Sequence, residues 1–300
     1  MDKKQNIDLF GAVALSGFSL LMAINQVVIK ITTGGLQPVF FAGLRSFGAL
    51  LCLYLWMRWR GKTLRIDRAV APAGFMIGAF FAFEFIGLFV ALDLTTVSRS
   101  GVIFYSMPVW LAIIAHFTMP DDRVNPRKAL GLALAFCGVA VAILVRGETT
   151  GGSLWGDLAA LGGAIGWAMV TYTAKATRLS RESPEMQLFW QLACSAPILL
   201  LASLFAGPLV RELAAIHIAG LAFQIVFVAF LAFMFWFWLL AIYPASGVAS
   251  FAFLTPVLSV LLGWLFLEET VGPSLWVALG LVASGLFLIN RPARSRRTSA

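Results

Sequence analysis

Residues 246–289 read SGVASFAFLTPVLSVLLGWLFLEETVGPSLWVALGLVASGLFLI, two long apolar runs joined by a short polar link that carries Glu268 and Glu269. A helix of about 20 apolar residues crosses the ~30 Å hydrocarbon core of a bilayer, and a core helix of a soluble domain seldom has so long a stretch without charge. The same texture extends over the whole chain. Of its 300 residues, 60% are hydrophobic and 12% charged, against roughly 45–50% and about 25% in an ordinary soluble domain. The longest polar interruptions, Arg58 to Arg68, Pro120 to Lys128 and Lys175 to Glu185, leave no room for a second large soluble domain. The formal charge of +8 lies in short basic runs between apolar segments and not on one face, which argues against nucleic acid as a partner.

Hydropathy predicts ten spans, at about 10–30, 38–57, 70–91, 96–118, 129–145, 154–174, 186–206, 214–241, 246–267 and 274–290. With the N-terminus in the cytoplasm, the inner segments hold seventeen Lys and Arg and the outer loops only Arg146 and Arg211. Basic residues accumulate in cytoplasmic loops, so both termini are expected inside. One helix more or fewer would invert every later loop, so the asymmetry also supports an even number of spans. The start, MDKKQNIDLF, leads into a span without a small-residue cleavage site, and the first helix is expected to be retained. Cys52, Cys137 and Cys194 lie in apolar segments, which suits buried free thiols and not a disulfide framework or metal cluster.

The sequence repeats itself at an offset of 145–149 residues. Gly11 to Lys30 aligns with Gly156 to Lys175, Pro38 with Pro184, YSMPVW around Pro108 with FLTPVL around Pro256, and LGLAL at 130 with LGLVA at 279. Two halves of five spans each, residues 1–150 and 151–300, must sit upside down relative to one another because five is odd. The expected fold is therefore an all-α integral membrane protein of ten transmembrane helices in two inverted five-helix repeats, the plan of alternating-access transporters.

On these residues the chain resembles the ten-helix EamA-type transporters of the drug/metabolite transporter superfamily, over about residues 10–290. The stretch 246–289 is similar to the family's ninth and tenth helices, with Pro256 and the terminal Glu268 and Glu269, and PVFFAGLRSFGALLCL around Arg45 is similar to its second. The chain departs from the pattern after its fourth helix, where Pro120, Asp121 and Asp122 stand, and at Arg99, a charge in an otherwise small and apolar helix. Within the superfamily the resemblance is greatest to bacterial amino acid exporters of the YddG type. It implies export of amino acids across the inner membrane.

Charges within spans are costly and mark function or pairing. Arg45 and Glu84 each lie seven residues below the outer end of their predicted spans, about 10 Å down, where they would form either a fixed pair or an open, hydrated carboxylate beside an arginine. The Glu84 face, with Phe80, Phe81 and Leu88, is expected to look into a cavity, while Gly74, Gly78 and Ala82, like Gly131, Ala135, Gly138 and Ala142, form seams between helices. Pro108 and Pro256, near the middle of spans four and nine, each remove a backbone bond and free a carbonyl, either as plain kinks or as hinges. Asn25, Gln26, Tyr105, Tyr172, Gln187 and Gln191 have no loop to serve. With Phe81 and Trp167 they would form an aromatic pocket with a few polar handles, suited to a zwitterion with an apolar side chain. The aromatic run FMFWFWLL at 233–240 reads as a lipid-facing belt.

The candidate substrate site is thus Asn25, Gln26, Phe81, Glu84, Tyr105, Trp167, Gln187 and Gln191, with Arg45, Pro108 and Pro256 as structural or hinge positions. No cofactor, metal or enzymatic role is expected. His116 and His217 belong to no HExxH, and neither a GxSxG elbow nor a phosphate-cradling Gly-rich loop is present. Expected partners are a small-molecule substrate and the bilayer, with a monomer as the working unit. A channel would need a continuous polar stripe, and a carrier of phosphorylated or nucleotide-sugar-like solutes would need several cationic groups in its cavity, for which Lys30, Arg45 and Arg99 are the candidates.

Overall fold

A computed structural model describes residues 7–118, 125–145, 152–243, 251 and 253–290. Ten helices are described: α1 (Leu9–Thr32), α2 (Pro38–Trp59), α3 (Ala71–Leu94), α4 (Val97–Thr118), α5 (Pro126–Leu144), α6 (Leu154–Ala176), α7 (Pro184–Ser203), α8 (215–242), α9 (Leu254–Leu267) and α10 (Pro273–Asn290). The first eight are long and apolar enough to cross a bilayer, and α9 and α10 are shorter apolar helices. Apart from one bridge between Leu36 and Val210, the described residues hold no strand pairing. Pro120, Asp121, Asp122 and Arg146, together with the basic residues of both termini, lie outside the described residues.

The helix starts follow local chemistry. Proline opens α2, α5, α7 and α10, where its missing N–H would have had no partner. Asp8, Asn125 and Ser183 accept from the first-turn amides of α1, α5 and α7, as N-caps do. No long loop separates the helices, so each lies antiparallel to the next. The bundle has a near end, where α1 begins, and a far end, where α1 stops.

Packing crosses between the sequence halves more than it stays within them. The most extensive contacts are α3 on α6, α5 on α10, α2 on α7, α3 on α7 and α4 on α6, followed by α1 on α9, α4 on α9 and α2 on α8. Shifting each helix five places along the chain maps α2 on α7, α4 on α9 and α5 on α10 onto themselves, and exchanges α3 on α7 with α2 on α8. Small residues make these contacts close. A Cβ on Gly87 would meet the backbone of Ala159 and Gly163, one on Gly138 the backbone of Ala278, and one on Gly131 that of Gly285. Without a hydrophobic drive between helices in lipid, such backbone approach supplies the association.

Three spans differ from the hydropathy reading. α4 is broken at Tyr105 and Ser106, giving an eight-residue first segment (Val97–Phe104) and a second (Met107–Thr118). α8 holds a π-helical stretch, Gln224–Ala232. The described part of α9 opens at Leu254 with Pro256 in its first turn, as Pro108 lies in the first turn of the second segment of α4. Cys137 is exposed and Cys52 half-buried, so only Cys194 is a buried thiol. In the 233–240 run Phe235 and Trp238 face outward as expected, whereas Trp236 stacks on Phe18 and Leu239 is buried.

Candidate functional site

The break in α4 turns Tyr105 into the middle of the bundle. Its ring meets Trp167 of α6 edge-on with centroids 5.6 Å apart, and Trp167 stacks on Phe104 at 5.2 Å. The Tyr105 hydroxyl is turned toward Gln26 of α1 and Thr255 of α9. Gln26 also lies against Gly101, where a Cβ would meet both its Oε1 and the Ser259 side chain. Gln26, Gly101, Tyr105, Thr255 and Ser259 thus form one polar cluster, drawn from both halves of the chain, beside an aromatic wall.

Glu84 is near enough to Tyr105 for its charge to act there, and Arg45 stands near Glu84. The Arg45 guanidinium lies over the Phe85 ring, 4.1 Å from its centroid, and 6.0 Å from that of Phe89. Phe81, Phe85 and Phe89 pack in a row along α3, so Phe81 extends the aromatic shelf that carries Arg45. It belongs to the same buried cluster as Tyr105 and Phe104, against which Trp167 packs. Arg45 and Glu84 are near enough to feel one another's charge, but no ion pair joins them, which sets aside the fixed-pair reading. Arg45 Nε and Nη1, Glu84 Oε2, both amide atoms of Gln26 and Ser259 Oγ have no hydrogen-bond partner among the described residues. Every one of these side chains is buried. A buried polar atom without a partner costs about 1–3 kcal/mol, so a concentration of them marks a place where the chain is built to receive polar groups from elsewhere.

Glu84 is deeper than hydropathy placed it, because α3 runs on to Leu94. It stands ten residues from the far end of that helix, about 15 Å by helical rise. Its face also differs from the reading above. Cβ atoms on Gly163 and Gly166 would meet the Glu84 backbone, so α6 packs directly over it and the residue lies at a second seam of α3. The expected seam is present too, with Gly74 against Trp190 and Gly78 against Cys194 of α7.

Two of the other candidates, Gln187 and Asn25, are held by bonds to neighbouring groups. The Gln187 amide donates to the Leu179 and Glu182 carbonyls at 2.9 and 3.3 Å and closes the turn between α6 and α7 at the near end. It is not beside Tyr105. Gln191 is buried one turn further into α7, next to Trp190, which packs on α3. Asn25 takes its bonds from Gln224, whose Nε2 donates to the Asn25 carbonyl and, at 2.5 Å, to Oδ1. Gln224 opens the π-helical stretch, is fully buried and keeps an unpartnered Oε1. It was not among the sequence candidates, although an isolated amide in a long apolar run is the signal that singled out Asn25. Thr255 and Ser259 were likewise missed, since small hydroxyls in membrane helices usually bond their own backbone.

The far end is closed by buried charge. Arg99 pairs with Asp157 of α6 at 2.6 Å, donates to the Ala142 carbonyl, and shares Asp157 with the Thr95 hydroxyl at 2.8 Å. Glu269, turned back by the left-handed Glu268 (φ 52°), accepts from Val97 N, Ser98 N and Ser98 Oγ at 2.6–2.9 Å. A carboxylate at a helix N-terminus is favourably placed by the helix dipole. Gly263 permits its approach, since a Cβ there would meet Glu269 and Ser98. Lys30 donates to the Asp93 and Thr95 carbonyls, and Arg211 pairs with Asp93 at 2.6 Å, a contact that holds its guanidinium further above its ordinary range. Asp157, in the first turn of α6, is thus a fully buried carboxylate in addition to that of Glu84, held at the far end of the bundle.

The near end carries a related clasp. Tyr243, the last described residue after α8, donates to Asp8 at 2.6 Å and lies against Gly11, as Thr95 donates to Asp157 and lies against Gly156. Tyr243 follows Thr95 by 148 positions and Gly156 follows Gly11 by 145, within the repeat offset of the sequence, whereas on that alignment the counterpart of Asp8 is Ser153, the N-cap of α6, and not Asp157.

A family model described as the EamA-like transporter family matches the chain twice, over residues 9–144 and 154–291. The chain belongs to that family and is a multi-pass membrane transporter. It is 28% identical over 300 residues to a Bacillus subtilis protein named Uncharacterized transporter YvbV, covering 96% of this chain and 94% of that one. It is 25% identical over 292 residues to the Escherichia coli protein named Uncharacterized inner membrane transporter YedA, covering 95% and 92%. A solved crystal structure aligns with 92% of this chain and 95% of its own at a TM-score of 0.64 and 21% identity, which shows a shared fold.

Proposed function

We propose that this EamA-family chain is a secondary transporter of the inner membrane that moves small amphipathic solutes, most suitably amino acids with aromatic or other apolar side chains, by alternating access between two inverted repeats. The observation that carries the reading is the set of buried, unpartnered polar atoms of Gln26, Arg45, Glu84 and Ser259 beside the Tyr105–Trp167 wall. A zwitterion matches it: Arg45 offers donors to a carboxylate, Glu84 an acceptor to an ammonium, and the rings a surface for the side chain. Charges of both signs about one site fit a zwitterion better than an anion.

The two clasps, one at each end of the bundle, supply the gating. In this reading the near end is cytoplasmic, as the distribution of Lys and Arg suggests. The Asp157 clasp then closes the outside, the Asp8 clasp closes the inside, and transport releases one while the other holds. The halves 1–150 and 151–300 are the moving units, Pro108 marks where α4 restarts and Pro256 stands in the first turn of α9 as its hinge counterpart, and YddG-like export is the expected direction. A phosphate-carrying role is the weaker reading, because Lys30 and Arg99 are engaged by the far-end network and leave Arg45 as the cation of the site.

The test is counterflow in liposomes containing the purified protein, with amino acids, sugars and phosphorylated metabolites screened with and without a pH gradient. Saturable exchange of apolar or aromatic amino acids is expected. Non-saturating flux would indicate a pore, and exchange confined to phosphorylated solutes would replace the substrate class.

A further inference from the structure

At the near end, outside the substrate site, a groove of about 660 Å³ runs between the start of α3 and the end of α6. Lys175, Arg178 and Arg181 line it, and no carboxylate does. Arg178 donates to the Ala69 carbonyl at 3.3 Å and so spans the groove. All three cations are exposed, and neither Lys175 nor Arg181 has an ion-pair partner among the described residues. Of the nearby carboxylates, Glu185 pairs with Lys62, Asp67 accepts from the Ala69 amide, and Glu182, next to Arg181 in sequence, does not line the groove. The α3 N-terminus carries no side-chain cap, so its positive dipole end adds to the field of the groove.

From this we infer that the groove binds the phosphate of an anionic phospholipid headgroup in the adjoining leaflet. Height and the apolar flank both favour a lipid over a soluble anion. The cations stand where a 23-residue span ends and a 24-residue span begins, the level at which headgroups lie. Pro72 and Ala73 line the groove, and Met76, which shares their face of α3, is 38% exposed while Phe75 beside it is 63% exposed. That strip gives the acyl chains a surface directly below the phosphate. Positive residues at the end of α6 would in any case complement its dipole. Their convergence on one concave, acid-free groove above a lipid-facing strip is what distinguishes a binding site from scattered surface charge.

The full-length protein in mild detergent, titrated with phosphatidylglycerol, phosphatidylcholine or inorganic phosphate and read by native mass spectrometry, tests the inference. A retained phosphatidylglycerol adduct is expected, undisplaced by inorganic phosphate, with affinity falling about fivefold for each cation removed and roughly a hundredfold in Lys175→Gln/Arg178→Gln/Arg181→Gln. Arg58→Gln/Arg60→Gln/Arg65→Gln removes equal charge from another near-end segment and should keep the adduct. Arg181→Gln alone gives the fivefold reading should the triple variant fold poorly. Equal loss in the control, equal retention of phosphatidylcholine, or displacement by inorganic phosphate would each overturn the assignment.

Discussion

Asp157→Asn is the most informative single change, because it removes a charge and leaves the volume almost unaltered. Asp157 is fully buried and receives Arg99 Nη2 at 2.6 Å, Arg99 Nε at 3.2 Å and Thr95 Oγ1 at 2.8 Å. Loss of the carboxylate strands a guanidinium that is itself only 1% exposed. Removing one partner of a buried pair costs about 3–5 kcal/mol, or roughly two to four orders of magnitude in an equilibrium constant. That cost falls on the state in which the far end is closed, so the population moves toward states that hydrate Arg99. Ala160, fully buried one turn further into α6, is the reporter position. In a background with Cys52, Cys137 and Cys194 replaced, Ala160→Cys should react at least tenfold faster with a membrane-impermeant maleimide, applied to the outer face, when Asp157 is Asn. The detergent melting temperature should fall by roughly 6 °C or more. Replacing both partners, Arg99→Met with Asp157→Leu, removes the stranded charge and should recover most of the melting temperature. Parent-like labelling and melting in Asp157→Asn, or a double variant as unstable as the single, would refute the reasoning.

Four further outcomes follow from the same geometry. Glu84→Gln should abolish accumulation driven by a pH gradient while counterflow persists at saturating substrate, since the amide oxygen still accepts from an ammonium but without the charge, and pH-independent uptake by the parent protein would remove proton coupling through Glu84. Gln26→Ala should raise the substrate Kd in a binding titration, whereas Gln187→Ala, which loses only a turn-closing bond, should leave Kd unchanged and lower stability by about 1 kcal/mol. Gly87→Ala drives a Cβ into the backbone of α6 and should cost about 1–3 kcal/mol in thermal unfolding. Gly162→Ala meets only Phe83 at 3.6 Å and should be silent. Pro256→Ala should slow counterflow more than it weakens binding, and unchanged turnover would count against a hinge there.

The secondary structure was legible because its causes are local. Twenty apolar residues in a row have one stable form in lipid, a helix with its backbone bonds satisfied internally, and prolines at helix starts mark the same boundaries in sequence and structure. The stripes at Gly74 and Gly131 were legible as seams for a similar reason, since only small residues admit a neighbouring backbone. The break at Tyr105 was signalled by Pro108, although not its form, because a proline in a first turn and one in mid-helix have the same sequence.

Amino-acid order by itself determined that this chain lives in the bilayer, that it is all helical and that it repeats at 145–149 positions. Tertiary structure alone decided which polar residues meet. Gln26 with Ser259, Arg99 with Asp157, and Glu269 with Ser98 are separated by scores of residues. Their meeting depends on the packing of one half against the other, and hydropathy read within a span carries no information about which helix from the other half will face it. It was packing too that placed Glu84 at a second seam, held Gln187 in a turn, and brought Asp8 and Asp157 into matching clasps at opposite ends of the bundle.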